Sequence, residues 1–229
     1  MVTNKVITVD IWSDFVCPWC WIAKHRFEKA LKHFEHRSLV EVSYRSFRIA
    51  AEADPSPFKQ AVTIKFLSEE RASKLVAMVE SQGQLEGLTY DFESMQFGDT
   101  LQAHCLVKSI IDPARRSALM ERLYLDSTTY GKSLFTRESL KEIALDVGIS
   151  EIVIDDAWRN QRLTAEVLRD ELMALQYGSS VPLFVFNSNQ VLSGAQSAAA
   201  LLEMLNSLKP GIDATIVEDA PTCGLTSCD

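Results

Sequence analysis

The sequence predicts an α/β fold in which one mixed sheet is completed by segments from both ends of the chain, with a large all-helical insertion between them. Three observations predict it. A strand, helix, strand unit fills residues 1–54, a block of 3.6-residue periodicity follows over 55–177, and a strand, turn, strand, helix unit occupies 178–217. The first and last of these are expected to form one discontinuous domain and the middle block an insertion domain, leaving 218–229 as a tail.

Val6 to Ile11 and Val40 to Phe47 read as strands, the second alternating so that Val40, Val42, Tyr44 and Ser46 share one face. Between them Ile22, Ala23, Phe27, Ala30, Leu31 and Phe34 recur at helical spacing, with Lys24, Arg26, Lys29 and Lys32 expected outward. From Asp54-Pro55-Ser56-Pro57 to about Gly178 the helical period dominates and strand signal nearly vanishes. Asp99 with Gln102 reads as a capping box opening a helix over Thr100 to Ile111. Asp112-Pro113 supplies an N-cap and an N1 proline, and Thr136 before Glu138 opens the helix that carries Leu140 to Val147. Gly83, Gly87, Gly131 and Gly148 read as breaks between helices. Strand character returns at Val181 to Phe186, followed by the turn Asn187-Ser188-Asn189, a short strand Gln190 to Ser193 and a helix from Ser197 to Leu208.

Composition narrows the function classes. The chain of 229 residues is long enough to bury a full core without a cofactor. Its 23 Lys and Arg against 31 Asp and Glu give a net charge of −8 with no clustered basic stretch, which argues against nucleic acid as a partner. No run approaches the roughly 18 apolar residues of a membrane span. Met1 to Lys5 lead straight into strand-like sequence without a charged leader and apolar core, so a cytoplasmic protein is expected, without a membrane partner.

The densest chemical signal is Cys17-Pro18-Trp19-Cys20, placed directly after the first strand and directly before the first helix. Two cysteines so spaced at a helix start can close a small disulfide, and the unpaired N–H groups there stabilise a thiolate on the first. Pro18 fits the first helical turn, where its missing N–H costs nothing. Cys17 is thus the candidate nucleophile, and Cys20, one turn inward, the candidate resolving thiol. A zinc half-site and a purely structural pair are the competing readings, and zinc would need a second ligand pair. In a reducing compartment such a dithiol points to catalysis or redox sensing.

Trp12 and Phe15 read as core, whereas Trp19, between the cysteines, is the candidate contact to an unfolded chain. Asp14 either tunes the nearby thiols or caps the turn. Cys105 reads as a buried inert thiol.

In these residues the chain resembles the DsbA-type thioredoxin superfamily, most closely its FrnE-like branch. Ser13 to Ile22 is similar to the active-site segment, and Asp99-Thr100-Leu101-Gln102-Ala103-His104 to a motif of the helical insert, with Asp99 where members more often have Asn. Ser179 to Asn187 with Ser193 to Gln196 resembles the cis-proline strand and its hairpin exit, and Cys223-Gly224-Leu225-Thr226-Ser227-Cys228 a second cysteine pair found at the C-terminus of many members. The resemblance implies a thioredoxin-like mixed sheet with a helical insertion, a cis Val181-Pro182 bond beside the dithiol, and a Val181 backbone free to pair with an extended substrate. His104 reads on general grounds as a hydrogen-bonded packing residue, and only its place in the motif marks it as a modulator.

The function these features imply is thiol–disulfide exchange on a disulfide-containing polypeptide or a low-molecular-weight disulfide, as oxidoreductase or isomerase. No tightly bound cofactor or metal is expected; glutathione, thioredoxin or another redox protein would serve as partner. Pro18, Trp19, Val181 and Pro182 are the candidate substrate contacts. Cys223 and Cys228, whose four-residue spacing permits a disulfide, are the candidate auxiliary redox pair, with a simple staple as the alternative. The related kappa-class glutathione transferases and 2-hydroxychromene-2-carboxylate isomerases use a serine where this chain has Cys17, which makes a glutathione-dependent isomerase or transferase the second reading. A zinc-binding module using Cys17, Cys20, Cys223 and Cys228 is the third.

Overall fold

The structure is a computed structural model and describes residues 6–209. Cys223 and Cys228 lie outside the described residues. Four strands form the main sheet: β1 (Ile7–Ser13), β2 (Val40–Ser46), β5 (Leu183–Phe186) and β6 (Gln190–Ser193), in the order β2-β1-β5-β6. β1 runs parallel to β2, with Ile7 opposite Val40 and Ser13 opposite Ser46. It runs antiparallel to β5, with Ile11 opposite Phe184. The parallel pair requires a crossover, and α1 (Pro18–His33) supplies it.

Alternation along β1 sorts its side chains between two layers. Ile7, Val9 and Ile11 face α1 and the terminal helix α9 (Ala198–Leu208), packing with Phe27, Phe184, Phe186 and Leu201. Trp12 joins the opposite face with Leu183, Val185 and Ala174, the last on α8 (Gln161–Ala174). The Trp12 indole N–H donates to the Asp170 carbonyl at 2.7 Å, so the buried ring leaves no orphan donor. The turn Asn187-Ser188-Asn189 uses left-handed backbone at Asn187 (φ 49°) and Ser188 (φ 56°), consecutive positive-φ residues that match the twist of a tight β-hairpin.

Between β2 and β5 the chain forms α2 (Phe58–Phe66), α3 (Glu69–Gln84), α4 (Leu101–Ser109), α5 (Pro113–Thr128), α6 (Arg137–Asp146), α7 (Glu151–Arg159) and then α8. Asp112 and Thr136 cap α5 and α6 as expected, accepting from the Arg115 and Ser139 amides. The block also holds a ladder absent from the sequence reading, β3 (Ser56–Pro57) against β4 (Gln96–Phe97). These strands of two residues are too short to show any period. Its interior is continuous with Phe15, Cys17, Cys20 and Trp21, so the dithiol lies at the seam between the sheet layer and the helices.

Three local expectations are corrected. Lys24 and Arg26 are buried, because the inserted helices cover that face of α1: Lys24 pairs with Glu121 at 2.6 Å and Arg26 with Glu86 at 2.7 Å. The Asp99–Gln102 capping box does not form. Asp99 instead accepts from the Leu101 and Glu52 amides and from Arg48, while Thr100, the N-cap residue, sends its hydroxyl elsewhere. Gly83 stands in the last turn of α3, one residue short of its end at Gln84, rather than between two helices. The Tyr90 ring passes so close that a Cβ there would overlap Cε2 and stand 3.1 Å from Cδ2.

Candidate active site

Cys17 occupies the N-cap of α1 in extended backbone (φ −101°, ψ 105°), and Pro18 opens the helix. The turn before it is closed by the Cys17 amide donating to the Asp14 carbonyl at 3.1 Å. One turn on, the Cys20 amide donates to the Cys17 carbonyl at 2.9 Å. The two thiols are free. They differ in surroundings: Cys17 is 6 % exposed and lines a groove, whereas Cys20 is 1 % exposed and does not. Burial first, and then the adjacent Cys17 sulfur, push the Cys20 thiol well above the ordinary thiol range.

The groove has a volume of about 620 Å³. Cys17, Pro18, Trp19 and Val181 line it together, as the sequence reading requires of a substrate site. The Val181–Pro182 bond is cis, and the Val181 carbonyl lies 4.0 Å from Cys17 Sγ. The Pro182 carbonyl is occupied within the protein, accepting from the Gly194 amide at 2.8 Å. Trp19 is half-buried against the groove wall, intermediate between the core and the exposed contact expected of it.

The far wall comes from residues the sequence reading did not select. Phe58, Val62 and Phe66 project from α2, Leu75 and Val79 from α3, with Phe97 on β4. The i, i+4, i+8 spacing of Phe58, Val62 and Phe66 on α2 signals an apolar stripe, but nothing in it says that the stripe faces the dithiol of the distant Cys17–Cys20 segment. Among the described residues, two cations, Arg48 and Lys65, line the groove, and no carboxylate does. Arg48 is already held by Asp99 at 2.9 Å and Glu171 at 2.7 Å, so among the described residues Lys65 is the cation open to a ligand.

Behind the thiols, Asp14 is fully buried. Its side chain does not cap α1; it accepts from the Thr100 hydroxyl at 2.6 Å and the Ile49 amide at 2.8 Å. His104 packs its ring against Phe15 at 4.8 Å and brings Nε2 to 3.6 Å from Asp14 Oδ1. Among the described residues that buried nitrogen has no hydrogen-bond partner, contrary to the satisfied histidine expected. Tyr90 donates to the Pro18 carbonyl at 3.1 Å, pinning the first turn of α1 from the inserted block. Cys105 is buried beside Thr164, and burial raises its thiol pKa, in keeping with an inert role.

A CxxC at the head of the helix that follows a central strand, faced by a cis X–Pro strand entry, defines the thioredoxin-like class. The chain belongs to the DSBA-like thioredoxin domain family, whose model matches residues 8–206. A probable DsbA oxidoreductase from Streptomyces coelicolor is similar at 32 % identity and TM-score 0.83, over 97 % of this chain and 98 % of its own. The cytosolic disulfide reductase DsbM from Pseudomonas aeruginosa shares the fold at 17 % identity and TM-score 0.60, over 87 % of this chain and 97 % of its own. A 2-hydroxychromene-2-carboxylate isomerase also shares it, at 14 % identity and TM-score 0.60, over 87 % and 93 %. No curated protein sequence matches the chain. Among the described residues, no helix is long and apolar enough to cross a membrane.

Proposed function

We propose that this member of the DSBA-like family is a disulfide oxidoreductase or isomerase in which Cys17 is the nucleophile and Cys20 the resolving thiol. The asymmetry of the two thiols carries the reading: one opens on a groove at a helix N-terminus, and the other is sealed behind it. Cys17 thiolate attacks a substrate disulfide, forming a mixed disulfide and releasing one thiolate. Cys20 then attacks Cys17 Sγ, closing Cys17–Cys20 and releasing the second. Two electrons pass from enzyme to substrate, and the reverse sequence oxidises a dithiol.

The groove suits an extended polypeptide: aromatic and aliphatic walls take apolar side chains, and the Val181 backbone beside Cys17 is positioned to pair with a chain. Pro18 and Trp19 complete that contact, while Pro182, buried and outside the groove lining, acts by holding the Val181 backbone against Cys17. Lys65, in a lining free of carboxylates among the described residues, favours a small carboxylated thiol such as glutathione as the redox partner, and a cytoplasmic setting accords with it. Residues 1–54 with 178–217 act as the thioredoxin-like unit, 55–177 as the insertion that builds the groove wall, and the tail's Cys223 and Cys228 as an auxiliary pair.

Thiol trapping with disulfide mapping tests the assignment. Cys17→Ser abolishes disulfide reduction, and Cys20→Ser accumulates mixed disulfides at Cys17. Turnover near the wild-type rate in Cys17→Ser would sink it, and glutathione-linked isomerisation retained by that variant would establish the second reading in its place.

A further inference from the structure

The main sheet has two outer edges, and they differ. β6 is four residues long and carries no charge, Gln190-Val191-Leu192-Ser193. β2 presents seven residues in unbroken register with β1, without the proline or bulge that commonly blunts an exposed edge. We propose that β2 pairs antiparallel with β2 of a second copy of this chain about a two-fold axis at Ser43, joining two four-stranded sheets into one. The inference goes beyond the dithiol chemistry and does not depend on it.

Backbone accounting locates the axis. The Phe47 amide donates to the Ser13 carbonyl at the end of β1, so by strand alternation Arg45, Ser43 and Glu41 turn their peptide groups to β1, while Ser46, Tyr44, Val42 and Val40 turn theirs outward. The outer two of these amides are already taken. Ser46 donates to Asp170 Oδ2 at 3.0 Å, and Val40 donates to the Arg37 carbonyl of the turn before it. Among the described residues the amides of Val42 and Tyr44 have no acceptor, and they stand symmetrically about Ser43. A second copy turned about that residue sets Val42 opposite the second copy's Tyr44, and Tyr44 opposite its Val42. Each is a hydrogen-bonded pair that exchanges two bonds, so all four open amides find carbonyls.

The side chains select the same register. Glu41 and Arg45 lie on one face of β2, two residues to either side of the axis, so each Glu41 comes opposite the second copy's Arg45. These are non-hydrogen-bonded pairs, the closer of the two kinds. Glu41 is exposed and has no ion pair among the described residues. Arg45 is held by Asp10 through Nε at 2.7 Å and reaches Asp170 through Nη1 at 3.5 Å, yet its side chain remains 32 % exposed with Nη2 uncommitted. On the other face Val42 meets the second copy's Tyr44, a β-branched residue against an aromatic. An axis at Val42 would face Glu41 with Ser43, and one at Tyr44 would face it with Phe47; either loses both charge pairs. The antiparallel arrangement also points the two dithiol ends, which lie beyond Ser13 and Ser46, in opposite directions along the joined sheet.

Sedimentation equilibrium on the full-length reduced chain reads the association, and cysteine cross-linking reads the register. A dimer is expected. Its Kd should rise about tenfold or more in Glu41→Lys, which turns two opposite-charge cross-strand pairs into two like-charge ones, and the gap should narrow as salt is added. Cross-linking uses a Cys17→Ser, Cys20→Ser, Cys223→Ser, Cys228→Ser background, in which the remaining Cys105 is buried. There Ser43→Cys, on the axis, should oxidise to a covalent dimer, because a non-hydrogen-bonded pair stands within the span of a disulfide. Glu41→Cys, whose counterpart would lie about 14 Å away along the strands, should not. A monomer at every concentration that forms no Ser43→Cys dimer would overturn the proposal. So would a dimer that Glu41→Lys leaves unchanged, or one that Glu41→Cys cross-links as readily as Ser43→Cys. A monomer whose Val42 and Tyr44 amides resist hydrogen exchange would also overturn it, and would assign the edge to a segment of the same chain.

Discussion

Replacing Gly83 by alanine places two effects of opposite sign at one site. Helix propensity alone favours the alanine by at most about 1 kcal/mol, the figure for a helix interior, since Gly83 lies in the last turn of α3. The added methyl, however, overlaps Tyr90 Cε2 and crowds Cζ at 3.3 Å. The ring has little room to yield. It stacks on Phe92 at 5.3 Å with planes 3° apart, meets Trp21 edge-on at 5.5 Å, and is tethered through its hydroxyl to the Pro18 carbonyl. Overpacking costs about 1–3 kcal/mol and loss of the tether about 1 kcal/mol, so the net expectation is destabilisation by about 1–3 kcal/mol. In a chain of this size each kcal/mol lowers Tm by about 2–4 °C. Urea unfolding followed by tryptophan fluorescence measures it, and a Tyr90→Ala background supplies the control: there Gly83→Ala should be neutral or stabilising, giving a non-additive cycle. A Gly83→Ala protein more stable than its parent would refute the packing argument.

Glu121, which burial alone would push up, is instead drawn down to about 2 by hydrogen bonds from His25, Lys24 and Trp21. Its folded pKa lies below its unfolded value, so its contribution is complete above about pH 4.5 and is lost as pH falls toward 2; Glu121→Gln should flatten that part of the Tm–pH curve, and an identical curve would exclude the carboxylate. Lys65→Glu should raise KM for glutathione disulfide with little change in kcat, and equal KM values would remove the cation from the site. A Cys223→Ser, Cys228→Ser protein should keep single-turnover chemistry at Cys17 while its steady-state rate changes in dependence on reductant; rates unchanged across reductants would leave the tail pair as a staple.

What the sequence reveals follows the range of the interactions involved. Strand β1, the dithiol, α1, the β5–β6 hairpin and the helix after it rest on local patterns and were legible, although Ser197, read as the first helical residue, is the cap of α9 and accepts from the Ala200 amide. Lys24 and Arg26 were misread because their burial depends on carboxylates 97 and 60 residues away. The groove wall escaped for the same reason: Phe58 and Phe66 look like the core stripe of any amphipathic helix. His104 was marked only by its motif, since no spacing rule reports that a ring nitrogen will be buried without a partner.

The order in which this sheet can be assembled follows from its connectivity. The Asn187 side chain closes on the Thr8 amide from 179 residues away, and although β2 can cover one edge of β1 early, the other edge stays open until β5 has been made. At about 5–20 residues per second a growing chain presents Cys17 and Cys20 without that cover for roughly 10–35 s, while Cys105 emerges midway. A nascent molecule thus passes through an interval in which its own reactive pair can cross-link to the wrong thiol, and the reducing capacity of its surroundings, or an early collapse of α1 onto the helical block, decides how many chains reach the native dithiol.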